Sequence, residues 1–178
     1  DKWVRETPEL LAGLQAFSKE RNLGLAGTFW QGMGQSALNT LYLFSSELPE
    51  PRALYSKRHL FPLTREPEFF TPGPDAPNVS TLPGDEEIRL GPAICFELRF
   101  SEHFRVLAGQ DAHIVLLSSQ WPAARTGHLR TLVTARAIEN QCYVLSANCA
   151  GPSPFGELAG NSCLVSPWGE ELFLLNKE

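Results

Sequence analysis

AHIVLLSS, residues 112–119, constrains the fold of this 178-residue chain more than any other stretch. A near-continuous apolar run of that length, with a helical pattern on either side, suits a strand in a sheet covered on both faces. Ahead of it, IRLGPAICF (88–96) reads as a strand and SEHFRVLAGQ (101–110) as a helix. Beyond it, HLRTLVTARAIENQ (128–141) reads as a helix with Leu129, Leu132, Val133 and Ile138 inward, and CYVLSAN (142–148) as a strand. SCLVSPWGEELFLLN (162–176) is a hairpin turning at Pro167-Trp168-Gly169.

The earlier part of the chain follows the same grammar. Thr7-Pro8-Glu9 reads as an N-cap, a proline at the first helical position and an acid in the first turn, with Leu10, Leu11, Leu14 and Phe17 following at helical spacing. LGLAGTFW (23–30) and ALNTLYLFS (37–45) flank the turn GMGQ as a hairpin. Thr64 to Gly84 is a long, proline-rich ordered loop, of a length that is usually functional. Strands alternating with helices and hairpins make the class α/β, in a single domain over residues 1–178. A chain that starts at a helix and stops just after a strand leaves sheet edges unfilled, so the domain is expected to be truncated at both ends.

Twenty acidic against fifteen basic residues give a net charge of −5, and no basic stripe stands out. Nucleic acid and anionic membranes are therefore excluded as expected partners. No apolar run approaches the roughly 18–20 residues that span a bilayer, and DKWVRETPEL lacks the apolar core of a signal peptide. Cys95, Cys142, Cys149 and Cys163 lie in or beside apolar stretches, without zinc spacing. Reduced thiols in a cytoplasmic setting, packing roles for the last three, and no metal are the expectation.

The exception is Cys95, in GPAICFELRFSE (91–102). A strand, a cysteine, a turn and a helix in that order present a nucleophile at a corner, with the Phe96 N–H facing the same space. A buried structural cysteine is the competing reading. YSKRHLF (55–61) follows a strand and precedes the long loop, so Lys57 reaches toward the strand ends. An ammonium there lowers a thiol's pKa and steadies an oxyanion; taken alone, Lys57 reads as a solvated surface lysine.

With these stretches joined to SSQWPAARTGHLRTLVTARAIENQCYV (118–144) and GNSCLVSPWGE (160–170), the chain resembles the nitrilase superfamily of carbon–nitrogen hydrolases from about Leu14 to Leu172. The WP…H…ARAIENQ segment most resembles its ω-amidase branch. The resemblance implies a four-layer α-β-β-α sandwich, here partial, assembled as a homo-oligomer and free of cofactors. It implies a small linear amide as substrate and a Glu–Lys–Cys triad. In that triad Cys95 forms a thioester with release of ammonia, and Lys57 and the Phe96 N–H hold the oxyanion.

The general-base glutamate ends an early apolar strand in relatives. Pro8-Glu9 imitates the dipeptide, but the helix pattern begins at once, so Glu9 reads as first-turn decoration. The base is expected to be absent from this chain. Glu66 and Glu68 in the long loop are both candidates for the supporting carboxylate that faces the lysine. Trp121 and Pro122 are expected to line the substrate pocket, with a core role for Trp121 the alternative. Arg58, Arg65 and Arg99 each offer a fork to a substrate carboxylate. Phe96-Glu97 replaces the usual Tyr-Asp, and Cys149 stands where many relatives carry arginine. Two rival readings stay open: a non-catalytic homologue serving as a binding or assembly module, and a hydrolase for nitriles or N-carbamoyl compounds.

Overall fold

A computed structural model describes residues 2–34, 36–154 and 156–175. Gln35, the last residue of the expected GMGQ turn, and Asn176, the end of the last hairpin, lie outside the described residues. The chain opens with helix α1 (Lys2–Arg21), followed by a three-stranded antiparallel sheet of β1 (Leu25–Met33), β2 (Ser36–Phe44) and β3 (Arg52–Ser56). The stretch expected to be one long loop, 64–84, holds a helical turn, α2 (Glu66–Phe69), and a short strand, β4 (Ser80–Leu82), because Ser80 and Thr81 pair with the following strand. A six-stranded sheet then assembles from β4 (Ser80–Leu82), β5 (Asp85–Ile94), β6 (Ile114–Ser119), β7 (Tyr143–Asn148), β10 (Ser162–Val165) and β11 (Glu171–Leu175), in the order β11-β10-β7-β6-β5-β4. Its centre, β5-β6-β7, is parallel, with α3 (Ser101–Ala108) and α4 (Thr126–Asn140) as the crossovers; the flanking pairs are antiparallel. A small hairpin, β8 (Ala150–Ser153) with β9 (Gly156–Ala159), stands apart.

The side-chain alternation of each strand decides what it packs against. On β2, Leu41 and Leu43 turn inward to Ile94 and Leu90 of β5, with Leu54 of β3 and Leu116 of β6 alongside. Tyr42 and Phe44 turn the other way, meeting Phe29 of β1 edge-on at 6.2 and 5.8 Å. On the far face of the large sheet, Ala93, Val115, Leu117, Val144 and Val165 pack with Leu98, Phe104, Leu107, Leu129, Val133 and Ala137 from the α3/α4 layer. The layers therefore run α1, small sheet, large sheet, α3 with α4: an α-β-β-α sandwich, as the resemblance implies. No helix among the described residues is long and apolar enough to cross a membrane.

The small sheet covers only part of the large one. One row across the large sheet runs Leu116, Leu145, Leu164, Phe173 by strand register. It begins beneath β3 and ends in water, with Leu145 40% and Phe173 46% exposed.

Three local expectations need correction. Helix α1 starts at Lys2, not at Pro8, which sits inside it. Proline so near a helix start removes one internal hydrogen bond, a loss that a helix tied down elsewhere tolerates. The tie is polar: buried Gln15 donates through Nε2 to the carbonyls of Ser45 and Leu48, at 2.8 Å each. Leu10 and Phe17 face solvent in consequence. Ile138 of α4 is likewise half in water, lying against the turn at Gly169, while Ala137 takes the core position.

Candidate active site

The parallel strands β5 and β6 end side by side, and the carboxyl ends of such strands are where open α/β sheets place ligands. Cys95 follows β5 directly and opens a 3-10 turn (Cys95–Arg99). Its φ of +49° puts a non-glycine residue in the left-handed region, a conformation that costs on the order of 1–3 kcal/mol and needs outside support. Part of that support is visible. The Ile94 N–H is hydrogen-bonded by Glu97 Oε2 at 3.0 Å, so the third residue of the turn reaches back to its cap.

Around the sulfur the charges oppose one another. Burial pushes the Cys95 thiol above the usual range; the Lys57 ammonium and the backbone N–H groups of Gln120 and Phe96 pull it down, and Glu66 pushes it up. Burial prevails, and the net push is upward. Gln120 enters through its backbone alone: it follows β6, which places its N–H toward the neighbouring strand's end.

Lys57 follows β3 and is 2% exposed. Its N–H is bonded to the Asn39 carbonyl and its own carbonyl accepts from Gly73, both at 2.8 Å, so the main chain is clamped on two sides. Glu66 grips the ammonium with both oxygens, at 2.7 and 2.8 Å, and takes the Phe61 N–H at 2.6 Å as well. Glu66 and Glu68, two apart on a helical turn, point away from each other. Glu68 faces solvent and pairs with Arg65 at 2.8 Å, so of the two loop acids only Glu66 reaches the lysine. Arg65 is engaged there too.

Gly73 is the point of closest approach. A Cβ at that position would lie 2.1 Å from the Ser56 carbonyl oxygen, one residue before Lys57. Gly73→Ala is expected to push that segment aside and lower stability by about 2 kcal/mol. Urea unfolding against the parent protein measures the loss, and an unchanged midpoint would show that the loop yields instead.

Trp121 is a core residue beside the site. It is 3% exposed, its ring N–H bonds the Arg125 carbonyl at 2.9 Å, and the Arg99 guanidinium lies 4.8 Å from the ring centroid. Its backbone is fixed by Asn148, whose Oδ1 accepts from Trp121 N at 2.7 Å and from Ser119 Oγ at 2.9 Å, while Nδ2 bonds Gly160 O at 2.7 Å. Pro122 is half-buried and bridges to Leu158 of β9. Glu9 is exposed on α1. Cys142 and Cys163 are buried, but Cys149 is exposed, which corrects its expected packing role.

Sequence reasoning passed over two residues that hold the site together. Asn148 is one, and Glu97 is the other. Glu97 is fully buried and accepts from Tyr55 Oη at 2.6 Å, Arg58 N at 2.9 Å and His59 N at 3.3 Å, besides Ile94 N. His59, Glu97 and His103 are also the one trio of metal-type donors among the described residues, with ligand atoms within 4.8 Å of one another. A cation there would have to displace donors that already occupy the carboxylate.

Comparison with known proteins places the chain in a family. The family described as carbon-nitrogen hydrolase matches residues 4–177. A 2-oxoglutaramate amidase of Bacillus subtilis (strain 168) is 34% identical over 148 residues, which cover 83% of this chain and 55% of the relative. An omega-amidase (YafV) of Yersinia enterocolitica is 38% identical over 117 residues, 65% of this chain and 43% of the relative. The chain thus spans about half the length of such relatives. An amidase from Nesterenkonia sp. superimposes with a TM-score of 0.88 at 26% identity, covering 98% of this chain and 65% of that one. A mutant of that amidase, at a TM-score of 0.89, 26% identity and coverages of 98% and 67%, shows the result of Michael addition of acrylamide at its active-site cysteine. Sequence match, fold and the surroundings of Cys95 converge: the chain belongs to the carbon-nitrogen hydrolase family.

Proposed function

We propose that the protein hydrolyses a small linear amide, with Cys95 as nucleophile. The observation that carries this reading is a buried ammonium, gripped by both oxygens of Glu66, acting on a thiol that sits on a strained turn. The sulfur attacks the amide carbon. The oxygen that becomes negative is met by Lys57 and the Phe96 N–H, donors fixed before the charge develops. Collapse of that intermediate breaks the C–N bond, ammonia leaves with a proton, and water then hydrolyses the thioester to release the acid and the thiol. Among the described residues the carboxylate felt by the sulfur is Glu66, which Lys57 already occupies. The proton acceptor that the chemistry requires is, by the resemblance, a glutamate at the end of an early apolar strand.

The same reading favours ω-amides, by likeness to the 2-oxoglutaramate amidase and omega-amidase relatives, and, by the family resemblance, a cytoplasmic homo-oligomer. The rival reading is a non-catalytic homologue. One experiment separates them. The natural full-length protein is offered a panel of ω-amides, nitriles and N-carbamoyl amino acids, quenched in acid and analysed by peptide mass spectrometry. A thioester on Cys95 with ammonia released from the amides is expected. Turnover of nitriles or carbamoyl compounds alone reassigns the substrate; the absence of any Cys95 adduct with the whole panel overturns the nucleophile.

A further inference from the structure

We propose that Glu97 is a positioning residue that sets the distance between Lys57 and Cys95. The inference rests on the reading of those two groups as partners and adds what holds them in place. Their segments come from different sheets: Lys57 follows β3 of the small sheet, Cys95 follows β5 of the large one. Glu97 joins the two. Through Oε1 it accepts from Tyr55, two residues before the lysine, and from the N–H groups of Arg58 and His59, one and two residues after it. Through Oε2 it accepts from Ile94, the residue before the cysteine. One carboxylate therefore holds the backbone just after the lysine, the Tyr55 side chain two residues before it, and the backbone at the threshold of the strained turn.

The surroundings keep the node in this state. Glu97 is wholly enclosed, so a lost donor is not replaced by water. Burial, then the neighbouring carboxylate, keeps the Tyr55 hydroxyl protonated and hence a donor. His103 packs edge-on against Tyr55 at 5.4 Å and turns its Nε2 to the Pro92 carbonyl at 2.8 Å, while His59 stacks on Phe100 at 4.1 Å. Rings close the space around the carboxylate on two sides. A carboxamide in place of the carboxylate has only one acceptor oxygen, so its NH2 would face a backbone N–H with nothing to receive it.

The test reads coupling and not activity, so it stands whether or not the amide hydrolase assignment does. Iodoacetamide alkylation is followed at fixed pH in the natural full-length protein, with Cys95 quantified by peptide mass spectrometry and exposed Cys149 as the internal reference. In the parent, Lys57→Met should slow Cys95 alkylation by about tenfold, the effect of one pKa unit on thiolate population. In Glu97→Gln, alkylation should already be slow, and adding Lys57→Met should change it by less than about twofold. Glu97→Asp, which keeps charge and acceptors but is one methylene short, should fall between and serves if the Gln variant does not fold. A Lys57→Met effect that stays tenfold in whichever Glu97 variant folds overturns the proposal, because Glu97 would then support the fold without setting the spacing.

Discussion

Cys95→Ala is expected to lower ammonia release from an amide substrate by about 10⁴-fold or more in the natural full-length protein, while the folded state persists. Alanine removes the sulfur that forms the covalent intermediate, and no other thiol stands in its place: Cys142 and Cys163 are enclosed in the core, and Cys149 lies beyond a different strand. Thermal unfolding followed by circular dichroism should move little, since alanine inherits the same left-handed backbone and loses only one partly buried sulfur. Ammonia release is measured by an enzyme-coupled assay. Activity within tenfold of the parent would remove Cys95 from the chemistry. The pH dependence of alkylation gives a second readout. Because burial raises the thiol's pKa, its reaction with iodoacetamide should keep climbing above the pH at which an ordinary cysteine has levelled off.

The second large effect is at Lys57. Lys57→Met should cost about 3 kcal/mol of stability, because it leaves Glu66 partly buried with its main counter-charge gone. It should also lower turnover by about 10²–10³-fold through loss of an oxyanion donor. These two losses have different origins, and a second substitution separates them. Lys57→Met with Glu66→Gln should recover most of the stability, since no uncompensated charge remains, and none of the turnover. The midpoint of Cys95 alkylation should meanwhile shift further up in Lys57→Met, as the ammonium's pull on the thiol is lost. Recovery of turnover in the double variant would mean that Lys57 matters only as a counter-ion for Glu66.

What the sequence discloses, and what it conceals, follows from how far each contact reaches along the chain. AHIVLLSS, CYVLSAN and the α4 pattern announce themselves because burial repeats locally, and YSKRHLF and GPAICFELRFSE point to the candidate site because each is a short run. The choice between Glu66 and Glu68 is invisible in sequence: both are acids in one loop, and only the facing of a helical turn separates them. Glu97 is hidden for another reason. Three of its donors lie 38–42 residues away, and two of those are backbone N–H groups, which carry no side-chain signature. Ile138 follows the apolar spacing of α4 and still ends half in water against the turn at Gly169, because the neighbouring Ala137 faces the core in its stead. Strands β8 and β9 lie in AGPSPFGELAG, whose prolines and glycines interrupt any strand alternation.

The bare half of the large sheet bears on how the 178-residue chain behaves on the bench. Tyr143, Leu145, Phe173 and Leu175 offer a native, solvent-facing oily plane of the kind that environment-sensitive fluorophores stain. A dye-based melt of this chain should begin from a bright baseline, so ellipticity or intrinsic tryptophan emission is the better thermometer. Sulfate and phosphate buffers strengthen apolar association, and concentrated samples in them should cloud well below the unfolding temperature.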